Sequence, residues 1–579
     1  MTARITGNDY RSLTPPELGA WTPSLRVSVV VPAYGGQDKL DLVLAGLAGQ
    51  SYPAGLTEVI VVDNGSEPPL RLPEIRPEGT RLITCPTPGR AHARNAGLRA
   101  ATGDVIHWLD SDVVLDRRSV EAHMRWHHAA PYLVVTGYLR FTPAGLPTPE
   151  TVAATDDLAG LFEPAEPHAW LVDLIERTGG LTDNPHRAFS LHVGGATSVN
   201  AALFTQAGPM DTELILGQDT EMGYRLAQAG AVFVPEPLAR AFHLGPTMRM
   251  RDKAPIDRVS HAFVADRIPS YRWLRSHPAR QWKVPYLEVV VEPAGRQGPA
   301  EADGRKYGYD EVRATVDAVL AGTLPDVVVT VPGPWDRVRA EGRAPLTDPD
   351  LDLVLIQGHY AHEGRVRFVS GPSGEAPALP PHPPEAGAAP RGGDPPETGV
   401  AAPYRLRLPA GWVPGEDSLA RLLDLARDGG YGLVAVLLAE DSSEAVVAAR
   451  LERTAAFARA AIVVREGEDL DDAVEDTFGM LWVDGQTYGF LPEARQLTGR
   501  RGAYRARTEA QAEIARLTKE TERLRAQVTR WRDEAGRWRK SAVEMRREIG
   551  GLRKELAAAR KIVQYGLLSS VKRAIIRRR

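Results

Sequence analysis

Cysteine is almost missing from this chain. One, Cys85, stands among 579 residues, so an intramolecular disulfide and a cysteine-cluster metal site are both excluded. Neither sign of charge is in surplus. Lys and Arg number 70 against 74 Asp and Glu, net −4, which excludes bulk attraction to nucleic acid. Long hydrophobic runs are absent too: none approaches the roughly 18 apolar residues of a membrane-spanning helix. The opening residues, MTARITGNDYRSL, lack the apolar stretch of a signal peptide. These absences predict a soluble, cytoplasmic protein. What is present is ordinary globular composition, 43% hydrophobic and 25% charged, which excludes a wholly disordered or collagenous chain. At roughly 100–200 residues per domain, the length calls for about three units.

Buried runs open the chain. Arg26–Val31 (RVSVVV) and Glu58–Val62 (EVIVV) are continuous and β-branched, the mark of strands covered on both faces. The first breaks at Pro32-Ala33-Tyr34-Gly35-Gly36, the second at Asp63-Asn64-Gly65-Ser66. Strands are predicted at Arg81–Thr84 and Asp104–Leu109, with a helix over Arg90–Ala101 between them. Asp110-Ser111-Asp112 follows the last strand. Strands alternating with helices predict a parallel α/β sheet, whose ligands bind beyond the carboxyl ends of the strands. Further on come Gly194-Gly195, a helix at Ala201–Ala207, Gly217-Gln218-Asp219 before another helix, a strand at Val232–Val234, and Phe242-His243-Leu244.

After Lys283 the pattern restarts. Strands are predicted at Leu287–Val291, Asp326–Val331, Leu351–Ile356, Arg365–Val369, Tyr404–Leu408 and Gly432–Leu438, with a helix over Tyr309–Leu320. Ser370–Pro403 is rich in Pro, Gly and Ala and reads as a disordered loop. The two halves overlay as an internal repeat. Val105–Leu109 falls on Tyr404–Leu408, and Asp110 and Asp112 then fall on Pro409 and Gly411. The second half keeps the apolar frame without the carboxylates.

The final segment carries heptads. Ile514, Thr521, Val528, Ala535, Ala542, Ile549 and Leu556 recur every seven residues. Leu517, Leu524, Trp531, Trp538, Met545 and Leu552 recur at an offset of three. Glu520, Glu534 and Glu548 at g face Arg525, Arg539 and Arg553 at e in a parallel pair. The expectation is a parallel homodimeric rod of about 70–80 Å; the alternative is one long helix folded on the body. Gly566–Arg579 holds Lys572, Arg573, Arg577, Arg578 and Arg579 beside an apolar stripe. It suits either an amphipathic anchor on an anionic inner membrane surface or a frayed, solvated helix end.

Taken singly, the polar tips are ambiguous. Asp110 and Asp112 suit a hard divalent cation, Mg²⁺ or Mn²⁺, with phosphates completing the shell, yet Asp-Ser-Asp is also an ordinary turn. Asp63 suits a nucleobase, or an Asn-Gly turn. Arg90 and Arg94 share a helix face near an N-terminus fit for phosphate. Asp219 is a general base or a helix N-cap. His243 is a hydrogen-bonded core residue or a metal ligand.

As an ordered set, Val-Val-Val-Pro-Ala-Tyr, Val-Asp-Asn-Gly-Ser, Ala-Arg-Asn-x-Gly, Leu-Asp-Ser-Asp, Gly-Gly-Ala, Gln-Asp-Thr-Glu and Phe-His-Leu-Gly resemble the family 2 glycosyltransferases of the GT-A fold, over about residues 26–250. The resemblance implies an inverting transfer from a nucleotide-sugar donor to a glycan or lipid-linked hydroxyl acceptor. It implies that Pro32, Ala33 and Tyr34 line the nucleotide pocket and that Asp63 holds the base. Arg94 would lie near the nucleotide and Asp110 near the ribose or metal. Asp112 and His243 would bind Mn²⁺ or Mg²⁺, Asp219 would take the acceptor proton, and Gly194 and Gly195 would admit donor sugar or acceptor. Gly35 and Gln218 depart from the family pattern, which often has Asn and an acidic residue there. The expected organisation is an extension (1–25), a GT-A domain (26–283), a degenerate GT-A-like α/β domain (284–500) with the loop 370–403, a coiled coil (507–563) and a basic tail (564–579). The competing readings are a sugar-nucleotide-binding pseudoenzyme and a coiled-coil assembly factor.

Overall fold

A computed structural model describes residues 2–493, save 143–145, 163–164, 184, 276, 278–279, 294–307, 339–344, 371–401 and 441–445, and parts of a helical stretch within 516–560. Residues Met1–Glu493 form one compact unit and Ala494–Arg579 a second.

The first sheet is built from β1 (Val27–Ala33), β2 (Thr57–Asp63), β3 (Thr80–Thr84), β4 (Val105–Leu109), β5 (Val113–Leu115), β6 (Leu133–Thr142), β7 (Glu166–Pro167), β8 (Ala196–Asn200) and β9 (Val232–Leu244). Its order is β3-β2-β1-β4-β8-β6-β9-β5, with β7 on β6. β1, β2, β3 and β4 run parallel; β8 is antiparallel to both β4 and β6. The continuous apolar runs have a plain cause. Val30, Ile60, Ile106 and Trp108 enter the core on one face, and Val29, Val31, Val59 and Val61 enter the core on the other. A helix at Arg90–Ala100 packs on β1 and β2, where a Cβ at Gly97 would overlap Val30.

The second sheet uses β10 (Leu287–Glu292), β11 (Val327–Gly333), β12 (Val366–Ser370), β13 (Tyr404–Pro409), β15 (Leu433–Glu440), β16 (Val446–Arg453) and β17 (Met480–Asp484). β14 (Trp412–Pro414) pairs with β18 (Phe490–Pro492) beside it. Its order, β12-β11-β10-β13-β16-β15-β17, repeats β3-β2-β1-β4-β8-β6-β9 strand for strand, with the same parallel and antiparallel neighbours. Burial differs. Leu406 and Leu408 of β13 face the core, whereas Arg405 and Arg407 lie on the other face, paired with Glu288, Glu292 and Glu452. That face is half open, so β13 alternates where β4 is buried throughout.

Several expectations change. Leu351–Ile356 is not a strand but the start of a helix, Leu351–His359. Only Leu353 and Ile356 are buried there, at helical spacing, with Tyr360 beyond the helix end. Val232–Val234 extends into the 13-residue β9. Asp219 is not a cap: its helix, Gln218–Gln228, begins one residue earlier behind Gly217 at φ 92°. Within the expected extension, 1–25, two side chains are tied down. Asn8 exchanges two hydrogen bonds with the backbone of Phe233 (2.8 and 2.9 Å), and Arg4 pairs with Glu468 and Asp476 beside the second sheet.

In the second unit the described residues within 516–560 are helical, and Leu517, Leu524, Trp531, Met545, Ile549, Leu552 and Leu556 are exposed. Ile514, Val528, Ala535, Trp538 and Ala542, residues 371–401 and the tail 564–579 lie outside the described residues. No helix among the described residues is long and apolar enough to cross a membrane.

Three buried histidines sit together under the first sheet. His123 and His127 share the Ser198 hydroxyl (2.9 and 2.8 Å), and the His107 ring lies 4.5 Å from that of His123. Burial pushes His107 and His127 down to about 3, and His123 also falls well below its ordinary value. The folded state holds all three neutral, while the unfolded chain protonates them near pH 6.5. Stability is therefore full above that value and falls as pH drops toward the folded-state values. Chemical denaturation at pH 7.5 and 5.5 should show a loss of about 4 kcal/mol for the three together; equal stability at both would contradict the assignment.

Candidate active site

The parallel strands deliver their carboxyl ends to one edge. β2 ends on Asp63, which is buried. Its Oδ1 accepts from the Ser66 N–H (2.9 Å) and its Oδ2 from the Leu70 N–H (3.0 Å). The Ser66 hydroxyl in turn accepts from the Gly35 N–H (2.8 Å). Burial works to raise the Asp63 carboxyl, but its bonds from Ser66 and Leu70 hold it below the usual range. Asp63 thus fixes the loop next to Pro32, Ala33 and Tyr34, and Tyr34 itself is 77% exposed.

β4 ends at Asp110-Ser111-Asp112, and β5 then pairs antiparallel with β9, setting Val113 against His243. This register brings Asp112 Oδ1 to 3.6 Å from His243 Nε2. His243 Nδ1 lies 2.7 Å from the Gly245 carbonyl. A carbonyl only accepts, so Nδ1 carries a proton, and Nε2 is the nitrogen beside Asp112. Lys39 Nζ stands 3.4 Å from Asp112 Oδ2 and donates to the Leu244 carbonyl (2.9 Å). Among the described residues no group of three or more His, Cys, Asp or Glu converges as a metal cage.

Arg94, from the helix Arg90–Ala100, sits behind this edge with its side chain fully buried. Its Nη2 donates to Asp110 Oδ1 (2.8 Å) and its Nη1 to Asp219 Oδ1. The guanidinium lies 6.0 Å from the Trp108 ring, and a Cβ at Gly194 would overlap it. Gly195 passes Asp110 less closely: a Cβ there would lie 3.3 Å from the carboxylate. Asp219 occupies the first turn of its helix and stays 29% exposed. Burial works to raise its carboxyl; Arg94, then His192 and Arg90, outweigh burial and hold it below the usual range. The sequence-predicted residues thus form two clusters, Arg94 with Asp110, Asp219 and Gly194, and Asp112 with His243, while Asp63 is tied into its own loop.

Three contributors were not singled out for these roles from sequence. His192 is buried, donates from Nδ1 to the Asp219 carbonyl (2.8 Å), and is pushed down to about 4 by burial. Its place just before Gly194-Gly195 was the available signal. Lys39, in the first turn after Gly35-Gly36, was another. Gln218 donates from its amide to the Leu214 and Ile215 carbonyls (2.7 and 2.9 Å). It closes the loop before Asp219, a job for a neutral donor rather than the acidic residue common there.

Residues 28–155 match the family described as Glycosyl transferase family 2. The chain is 24% identical over 377 residues to the Chondroitin synthase of Escherichia coli, covering 59% of this chain and 50% of that one. It is 28% identical over 225 residues to the Pre-mycofactocin glycosyltransferase of Mycobacterium tuberculosis strain CDC 1551 / Oshkosh, covering 38% and 43%. The chain thus spans about half the length of these curated relatives. Among solved structures it matches the mannosyltransferase PcManGT from Pyrobaculum calidifontis, in complex with GDP-Man and Mn²⁺, at 19% identity and a TM-score of 0.28, over 44% of this chain and 66% of that one. Residues 28–155 thus match glycosyltransferase family 2, and they lie within a mixed α/β fold.

Proposed function

We propose that this chain is an inverting, metal-dependent glycosyltransferase, moving a sugar from a nucleotide-sugar donor to a hydroxyl of a glycan or lipid-linked acceptor in cell-surface polysaccharide or glycoconjugate synthesis. The observation that carries this reading is the pairing of Asp219 and Asp110 through buried Arg94, at the edge where Asp112 meets His243. Pro32, Ala33, Tyr34 and the loop held by Asp63 form the nucleotide side. Gly194 and Gly195, lacking side chains, leave room for the donor sugar or acceptor. Asp219, ionised and partly open, accepts the proton of the attacking hydroxyl.

The residues fit a divalent cation. His243 Nε2 lies beside Asp112; the carboxylate suits Mn²⁺ or Mg²⁺, and the imidazole favours Mn²⁺ of the two. Asp112 and His243 would hold the cation, with the donor's phosphate oxygens and water as its other ligands. When bound, the cation would neutralise the diphosphate leaving group.

The second sheet reads as a degenerate copy of the first. Its strand order repeats, and the β13–β14 turn is Pro409-Ala410-Gly411, without carboxylates. The exposed apolar residues at heptad spacing support a parallel homodimer through the C-terminal helix. The basic tail extends the reading to the inner membrane face. The test is release of nucleoside diphosphate from a panel of UDP-, GDP-, CDP- and dTDP-sugars with Mn²⁺, using Asp219→Asn as the control. Release from one nucleotide class, absent in the control, is expected. No release from any, by folded protein, would contradict the proposal.

A further inference from the structure

We infer that Arg94 is a positioning residue, which couples the Asp110 side of the cleft to Asp219 rather than touching the nucleotide. The inference rests on the reading of Asp219 as the base. The guanidinium has no exposed surface for a ligand, and its Nε is buried without a partner. Nη1 serves Asp219, Nη2 serves Asp110, and Nη1 also lies 3.9 Å from Met210 Sδ. The Gly194 backbone closes on the guanidinium, and Trp108 lies 6.0 Å from it. The side chain has no exposed surface, whereas its two carboxylate partners are 26% and 29% exposed. The carboxylates face the cleft and Arg94 stands behind them.

Geometry explains why arginine is used. Asp110 follows a strand, and Asp219 lies in the first turn of a helix 109 positions later in the chain. A planar fork with donors in fixed directions holds two carboxylates at one separation; a lysine, a single point charge on a flexible stem, does not. His192 grips the same residue from the other side, by the Asp219 carbonyl. A shift of Asp110 when a donor binds therefore reaches Asp219 through one rigid group.

The test uses the full chain and four variants: Arg94→Gln, Arg94→Lys, Gly194→Ala, and Arg94→Gln combined with Asp219→Asn. Gly194→Ala keeps the arginine but displaces its guanidinium. Melting curves establish folding. Calorimetric titration with UDP and GDP in Mn²⁺ reads nucleotide binding, and nucleoside diphosphate release reads turnover. The expected result is a nucleotide Kd within about threefold of wild type and kcat lowered about 100-fold in all three single variants, with no rescue by lysine. Arg94→Gln should add less than about threefold to Asp219→Asn, because the two act as one unit. A nucleotide Kd weakened tenfold with kcat intact would make Arg94 a nucleotide contact and overturn the inference. Full turnover in Arg94→Lys would reduce it to charge balance and overturn it too. Wild-type turnover in Asp219→Asn would instead overturn the reading of the base itself.

Discussion

An Asp219→Asn enzyme is expected to lose about 10²–10⁴-fold in kcat, the usual contribution of a positioned general base, while its nucleotide affinity stays within a few-fold of wild type. The amide keeps the size of the carboxylate and its carbonyl can still accept from Arg94, so the fold around the site should survive. What is lost is the proton acceptor. The direction of the pH dependence follows from the surroundings. Burial favours the neutral acid, but Arg94, His192 and Arg90 together favour the anion more. A base held below the usual carboxylate range stays ionised throughout the neutral region. Activity limited by Asp219 should therefore be flat between about pH 5 and 8 and fall only on further acidification. Turnover within threefold of wild type in the asparagine enzyme would contradict the role.

The largest stability effect is expected at Arg459, far from the chemistry. It stands on the helix Thr454–Val463 beside the second sheet and is 3% exposed. Its guanidinium donates to the carbonyls of Gly230 (2.8 Å), Ala231 (2.9 Å), Ile5 (3.3 Å) and Gly7, and lies over the Phe478 ring at 4.8 Å. Among the described residues no carboxylate pairs with it, and burial pushes the group down to about 10. Burial opposes that charge. Four bonds from a charged donor offset this, at about 1.5–3 kcal/mol each. Arg459→Met should thus lower unfolding free energy by at least about 3 kcal/mol in a urea titration. The residue joins the N-terminal strap, the turn after the Gln218–Gln228 helix and the second sheet, so one loss loosens three contacts. A change under 1 kcal/mol would show that the carbonyls find other partners.

How far these features could be read in advance depended on how local their causes are. β1, β2 and β4 were legible because both faces are covered and their runs are apolar without interruption. Leu351–Ile356 misled because a short apolar run fits both periods, and only the burial of Leu353 and Ile356 decides for a helix. The repeated strand order was not legible: the overlay reached only β4 on β13, where Arg405 and Arg407 replace buried residues on one face. In the site, Arg94, Asp110 and Asp219 carry no mutual spacing signal. They were found through an ordered set of motifs, and their convergence is a tertiary fact. His192 escaped because its partner is a backbone carbonyl, which no side-chain pattern records. The N-terminal strap escaped for a similar reason: Asn8 and Gly7 bond backbone atoms of Phe233 and Thr477.

The most direct test of the transferase account is nucleotide-dependent thermal stabilisation. Wild type and an Asp112→Ala, His243→Ala double variant would be melted with UDP, GDP, CDP and dTDP, each with and without Mn²⁺. At about 100 times its dissociation constant, a bound nucleotide adds about 2.7 kcal/mol of stability. The account predicts that one nucleotide stabilises wild type, that the effect requires Mn²⁺, and that the double variant loses it. Equal stabilisation of the double variant, or none of the folded wild type by any nucleotide, would contradict it.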